Sequence, residues 1–284
     1  MAYHVSFACI SNVGRVRPAN QDNFFCAGRF LGDEAGNMDF PLQGSFGAGA
    51  PLLFGVFDGL GGEERGEMAS FLAAKRFAGA ALKKGSEQEL VDLCLKANED
   101  ICAFAKENQV RRMGTTAALL AFSNAGIALC NIGDSRIFRF SSGKLEQLSE
   151  DHLGLAPFGK KAPLSQCLGI PKEEMRIEPY SCYLKPRDQD LYLICSDGLT
   201  DMVENPEIEK VLAETDPSGS QMDPRLLERT IVPGMEMAHL GGLGASARIL
   251  LHKALENGGR DNITLILGYV EMEKSSFWQK IFSK

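Results

Sequence analysis

The run Leu52-Leu53-Phe54-Gly55-Val56-Phe57-Asp58-Gly59 decides the architecture. It is short, continuously apolar, rich in aromatic and branched residues, and it stops at an acid followed by glycine. That is the pattern of a buried strand whose end mounts a side chain on a loop. The same grammar recurs downstream. Gly126–Ile132 runs to Asp134-Ser135, and Leu191–Cys195 runs to Asp197-Gly198. Asp22 and Asp261 each stand just before a strand-like run, Asn23–Phe30 and Ile263–Val270. A single Asp-Gly is an ordinary turn dipeptide. Five acids in matching strand context are hard to attribute to turns alone.

Around these runs the chain alternates in blocks. Tyr3–Ile10 alternates apolar and polar residues as a half-buried strand does. Asp33–Pro51 is Gly-rich, with Pro41 and Pro51, and predicts a long loop or hairpin excursion. Glu63–Leu82 and Glu87–Asn108 carry apolar residues at helical spacing, separated by Lys83-Lys84-Gly85 and an N-cap, Ser86. Thr115–Phe122, Gly126–Ile132 and Ser135–Phe140 predict strands, with turns at Asn124 and Ser141-Ser142-Gly143. Asn205–Glu214, Pro224–Thr230 and Gly244–Glu256 predict helices. Strand blocks split by helix blocks argue against regular parallel winding and for antiparallel sheets flanked by helices. With no evident linker, one domain is expected.

Composition narrows the function. The 284 residues carry 30 basic and 37 acidic side chains, a net charge of -7, which disfavours a nucleic-acid partner. Residues 1–10 hold His4 and no basic region before an apolar core, so no secretory leader is expected, nor is a membrane span. The eight cysteines are scattered without a Cys-x-x-Cys pair, which reads as free thiols in a reducing, cytoplasmic setting and argues against cysteine-bound zinc. Several carboxylates converging at one sheet edge repel unless cations hold them, and all-oxygen ligands suit Mg²⁺ or Mn²⁺.

Seven segments carry a resemblance. They are Arg17-Pro18-Ala19-Asn20-Gln21-Asp22-Asn23, Val56–Gly62, Met113-Gly114-Thr115-Thr116, Asn131–Arg136, Ser149-Glu150-Asp151-His152, Cys195–Asp201 and Gly258–Thr264. In content and order the chain resembles the metal-dependent, type 2C protein phosphatases in their bacterial form, from about residue 3 to about 270. The resemblance implies an α+β fold, a four-layer α/β/β/α sandwich of two packed antiparallel sheets flanked by helices. It implies a cytoplasmic signalling enzyme, a serine/threonine phosphoprotein hydrolase opposing a protein kinase, with two Mn²⁺ or Mg²⁺ ions and in bacterial members a third. Asp58 is implied to bridge two ions and the Gly59 carbonyl to bind one, with Asp197 and Asp261 completing the second. Asp22 would sit just outside, and Arg17 would clamp the phosphate. Asp134, Asp197 and Asp201 match the third-ion ligands. Attack on phosphorus would come from a water activated between the cations, with no protein nucleophile.

Three departures stand out. Leu60 replaces a histidine that some members use as leaving-group acid. Gln21 stands where many have Glu. Only Leu153–Cys167 lies where a fuller flap is usual, whereas 206–242 is longer than usual. The expected organisation is therefore a catalytic domain over 1–270, with a shortened flap near 153–167, a longer segment near 206–242 and a tail over 271–284. The tail holds the only Trp, Trp278, and is expected to pack on its own sheet rather than dock a membrane or partner. His152 reads as structural, Asn262-Ile263-Thr264 as an unused glycosylation sequon, and the chain as a monomer. Two further functions stay open: a catalytically silent phosphoprotein binder, and a hydrolase of small phosphorylated molecules.

Overall fold

The computed structural model describes residues 3–32, 36–47, 51–60, 65–156, 162–214 and 242–273. The expected helix over 224–230, most of the 206–242 segment, residues 157–161 and the tail from 274 lie outside the described residues. Eleven strands and five helices are described. They are β1 Tyr3–Asn12, β2 Asp22–Cys26, β3 Met38–Gly47, β4 Leu52–Asp58, α1 Gly66–Ala78, α2 Glu87–Glu107, β5 Ala117–Ser123, β6 Gly126–Ile132 and β7 Arg136–Ser141. There follow β8 Lys144–Gln147, β9 Tyr180–Leu184, β10 Leu191–Cys195, α3 Asp197–Thr200, α4 Asn205–Glu214, α5 Gly242–Glu256 and β11 Ile263–Met272.

The strands form two antiparallel sheets, ordered β3-β1-β11-β10-β7-β8 and β2-β4-β5-β6-β9. Each sheet is covered on both faces, which explains the continuously apolar strands. Along β5, Leu119 and Ala121 meet α1 and α2, while Leu120 and Phe122 point into the layer between the sheets. On β11, Leu265 and Leu267 meet α3, α4 and α5, while Ile266 faces inward. The inter-sheet layer is aromatic at its centre, with Phe54 and Tyr192 both packed edge-on against Phe122 at 5.6 and 5.7 Å. This is the expected α/β/β/α sandwich.

Local chemistry sets the elements. Ser86 caps α2 with a full capping box, its side chain accepting from the Glu89 amide while Glu89 accepts from the Ser86 amide. Ser142 and Gly143 both take positive φ, 51° and 79°, the two-residue turn that joins β7 to β8.

Three expectations change. The Gly-rich stretch before Pro51 holds a ten-residue strand, β3, which pairs with β1 and alternates apolar and polar residues, with Met38 and Leu42 packed on the inter-sheet layer. Its pairing with β1 shifts between Cys9 and Ser11, the side of the strand where Pro41 is accommodated. β2 ends at Cys26 rather than Phe30, since Ala27 and Gly28 turn the chain at positive φ. Two short edge strands add to the expected set: β8 is mostly exposed, while β9 is half-buried and turns Tyr180, Cys182 and Leu184 onto the inter-sheet layer. No helix among the described residues is long and apolar enough to cross a membrane.

The inter-sheet aromatics make a direct test. Phe122→Ala, at 1% exposure, is expected to lower unfolding free energy by about 3–5 kcal/mol. Phe46→Ala, at 42% exposure on the edge strand, is expected to change it by less than about 1 kcal/mol. Urea denaturation of both variants measures the contrast.

Candidate active site

The acids gather at one end of the sandwich because strand register puts them there. Asp22, first in β2, pairs across the ladder with Asp58, last in β4. From the other sheet, Asp197 stands two residues after the end of β10 and opens α3, and Asp261 stands two residues before β11, which pairs with β10. Asp134 lies in the turn between β6 and β7.

Electrostatics confirm the convergence. Burial pushes the Asp58 carboxyl well up, and the charges of Asp22, Asp197, Asp134 and Asp261 push it further. Asp22 is 1% exposed, and burial raises its carboxyl to about 7; hydrogen bonds from Ser196 and Thr264 oppose that rise, while the Asp197 and Asp261 charges add to it. Ser196 Oγ donates to Asp22 Oδ2 at 2.7 Å and accepts from the Thr264 amide at 3.0 Å. Arg17 is the cation of the group. Its Nη2 donates to Asp261 Oδ2 at 2.6 Å, and that bond, then the Asp261, Asp58 and Asp197 charges, raise the guanidinium above its ordinary value.

Backbone positions are held just as firmly. The Asp58 carbonyl accepts from Thr115 Oγ1 at 2.8 Å and the Thr116 amide at 2.9 Å, while the Asp58 amide donates to Thr116 Oγ1 at 3.0 Å. The Gly59 amide donates to the Gln21 carbonyl at 3.1 Å. A Cβ on Gly59 would lie 2.4 Å from the Gly66 carbonyl oxygen, so only glycine permits the approach of α1. Gly198 is equally constrained, its Cβ position lying 2.0 Å from the Asn262 carbonyl oxygen. Asn262 ties the loops together, its side chain accepting from the Gln21 amide and donating to the Val13 and Ala19 carbonyls.

The 149–152 segment braces the Asp134 turn. His152 donates its amide to the Gly133 carbonyl at 3.0 Å and accepts from the Gly133 amide through Nδ1 at 3.2 Å. Asp151 holds Arg136 at 2.7 Å. Both ring and backbone of His152 thus serve the turn. Asp201 stands at the margin, exposed, with its amide bonded to the Asp197 carbonyl at 2.7 Å. Gln21 donates to Glu67 Oε2 at 3.2 Å, so a carboxylate from α1 stands beside the neutral amide.

Sequence reading missed Ser196, Thr264, Asn262 and Glu67 as supports. The first three lie inside the quoted motifs, and nothing in a linear pattern marks a hydroxyl as the partner of an acid some 170 residues away. Leu60 donates its amide to the Gly114 carbonyl at 3.0 Å and offers no proton from its side chain. All eight cysteines are free.

Among the described residues no three His, Cys, Asp or Glu side chains close into a finished metal cage. Asp261 is turned to Arg17 and Asp22 to Ser196. The donor set nonetheless suits hard dications: carboxylates that repel one another, with Arg17 as a counter-charge among the described residues.

A family model for protein phosphatase 2C matches residues 39–231. The chain belongs to the protein phosphatase 2C family. This phosphatase is similar to the serine/threonine phosphatase stp of Listeria monocytogenes, 28% identical over 276 residues that span 89% of this chain and 91% of that one. It is 29% identical over 243 residues to the serine/threonine protein phosphatase PstP of Mycobacterium tuberculosis, covering 78% of this chain and 41% of that protein. The crystal structure of the PstP catalytic domain in complex with two manganese ions superposes with a TM-score of 0.68 at 26% identity, over 96% of this chain and all of that one.

The raised Asp22 carboxyl sets a pH dependence for the metal-free phosphatase. Its folded value near 7 exceeds the ordinary value near 4, so the fold holds a proton the unfolded chain releases. That contribution is present at low pH and is lost as pH rises through 7, a change on the order of 4 kcal/mol. In EDTA, thermal stability is expected to fall between pH 5 and 8. Asp22→Asn is expected to flatten the slope.

Proposed function

We propose that this phosphatase hydrolyses phosphoserine and phosphothreonine in proteins, using a binuclear Mn²⁺ or Mg²⁺ site built on Asp58. The observation that carries the reading is the gathering of acids: half-buried Asp58 faces Asp22 across β2 and β4, its carboxyl is pushed up by burial and then by four neighbouring acids, and Arg17 opposes them. Asp58 would be shared by two ions, with the Gly59 carbonyl serving one and Asp197 and Asp261 the other. Asp134, Asp197 and Asp201 would hold a third. Bound there, the cations would offset the carboxylate and phosphate charge and make water an effective nucleophile near neutral pH.

The chain's own residues have separable tasks. Asp22, fixed by Ser196 and Thr264, would orient solvent at the edge of the site. Arg17 would exchange Asp261 for the substrate phosphate, where a planar fork grips two oxygens. Water oxygen would bond to phosphorus as the bond to the serine or threonine oxygen breaks. That departing oxygen would take its proton from water or another group, since Leu60 has none to give. The cytoplasm, a protein-kinase counterpart and a monomeric state complete the proposal.

The test pairs calorimetric Mn²⁺ stoichiometry with hydrolysis of a phosphothreonine peptide and of an aryl phosphate. Wild type is expected to bind at least two ions and to lose turnover in EDTA. Asp58→Asn is expected to lose the paired site and slow turnover by about a hundredfold or more, the scale of one electrostatic stabiliser. Near-normal rates in that variant would refute the assignment, and fewer than two ions with no hydrolysis would favour a silent binder. Arg17→Ala should bind metal normally and raise KM roughly 10- to 100-fold, as loss of a charged hydrogen bond predicts.

A further inference from the structure

Beside the acid cluster runs a groove of about 1110 Å³ between the C-terminal half of α2 with its following loop and the segment 163–175. Its floor is apolar, from Leu60, Met113, Ile170 and Pro171. It is continuous with the site. Leu60 follows Asp58-Gly59 directly, its amide bonds to the Gly114 carbonyl at 3.0 Å, and Thr115 bonds the Asp58 carbonyl. The far wall is anchored by Asn98, whose side chain accepts from the Gly169 and Ile170 amides and donates to the Ile170 carbonyl.

Two arginines, Arg111 and Arg112, line this groove, both exposed. No salt bridge or side-chain hydrogen bond engages either among the described residues, whereas Lys172 on the opposite wall is paired with Glu99 at 2.5 Å. Glu173 and Glu174 also line that wall. Arg112 is two residues from Gly114, which touches Leu60, whereas Glu173 lies four residues beyond Gly169. Arg111 and Arg112 share their loop with Met113 and Gly114, the residues that join the groove to Leu60.

We propose that this groove receives the chain flanking the phosphorylated residue, and that Arg111 and Arg112 select acidic or additionally phosphorylated side chains within a few positions of it. The inference deepens the phosphoprotein reading above and rests on it. Free guanidinium groups on an apolar floor suit carboxylate and phosphate forks, and the rim position makes the attraction sensitive to salt.

The experiment uses the full chain with Mn²⁺ and three sets of phosphothreonine peptides, flanked by acidic, neutral or basic residues on either side, beside an aryl phosphate that has no flank. Wild type is expected to favour acidic flanks by about tenfold in kcat/KM, as two exposed ion pairs allow, and less so in high salt. Arg111→Glu with Arg112→Glu is expected to abolish or invert the order while leaving the aryl phosphate rate unchanged. An order that survives the double variant, or no acidic preference in wild type, overturns the proposal. If the aryl phosphate and all peptides go unhydrolysed, the activity reading fails instead. Fluorescence anisotropy of a labelled acidic peptide then decides the groove: binding weakened about tenfold by the double variant supports it, and unchanged binding overturns it.

Discussion

Like charges brought to one place in a partly buried setting repel, and the fold must supply enough rigidity to hold them there. Here the rigidity comes from two ladders. β2 against β4 sets Asp22 opposite Asp58, and β10 against β11 sets Asp197 close to Asp261. Packing of the two sheets across Phe54, Phe122 and Tyr192 then turns two pairs into one cluster. Without that aromatic layer the acids would relax apart into solvent. Burial, and after it the neighbouring acids, push the Asp58 and Asp22 carboxyls up.

The support around the acids is mostly neutral and mostly backbone-directed. Thr115, Thr116 and Ser135 form a chain of hydroxyls beneath Asp58, with Thr116 Oγ1 and Ser135 Oγ 2.7 Å apart. Ser11 and Thr264 share a 2.7 Å bond, and Ser196 links Thr264 to Asp22. Such groups fix geometry without adding charge, so the electrostatic demand of the site stays with the carboxylates and Arg17. Glycines at 59 and 198 permit backbone approaches that any side chain would block.

The described ends of the segment after His152 are tied to each other. Leu153 pairs with Leu164, and the Gly154 amide donates to the Pro163 carbonyl at 2.8 Å, closing the excursion near its base. Leu168 then pairs with Thr115, so the segment that forms one wall of the groove is tied to the residue that bonds the Asp58 carbonyl. Geometry at the acid cluster and in the adjoining groove is thereby shared.

Much of this was legible in order and type. Buried strands such as Leu52–Asp58 and Leu191–Cys195 announce themselves because both faces are covered, so every position is apolar. The five strand-end acids, Ser86 as a cap and the free cysteines could all be read from local pattern. What the linear chain could not reveal is whatever depends on register or on distant partners. β3 alternates apolar and polar residues, but its glycines and Pro41 mask the pattern until pairing with β1 is seen. Ser196 meets Asp22 only after the two sheets pack, Glu67 meets Gln21 once α1 lies beside β2, and Arg17 meets Asp261 once β1 pairs with β11. Local sequence determined which residues could carry charge at strand ends; long-range pairing alone decided that they share one field, because repulsion and hydrogen bonding act through space and not along the chain.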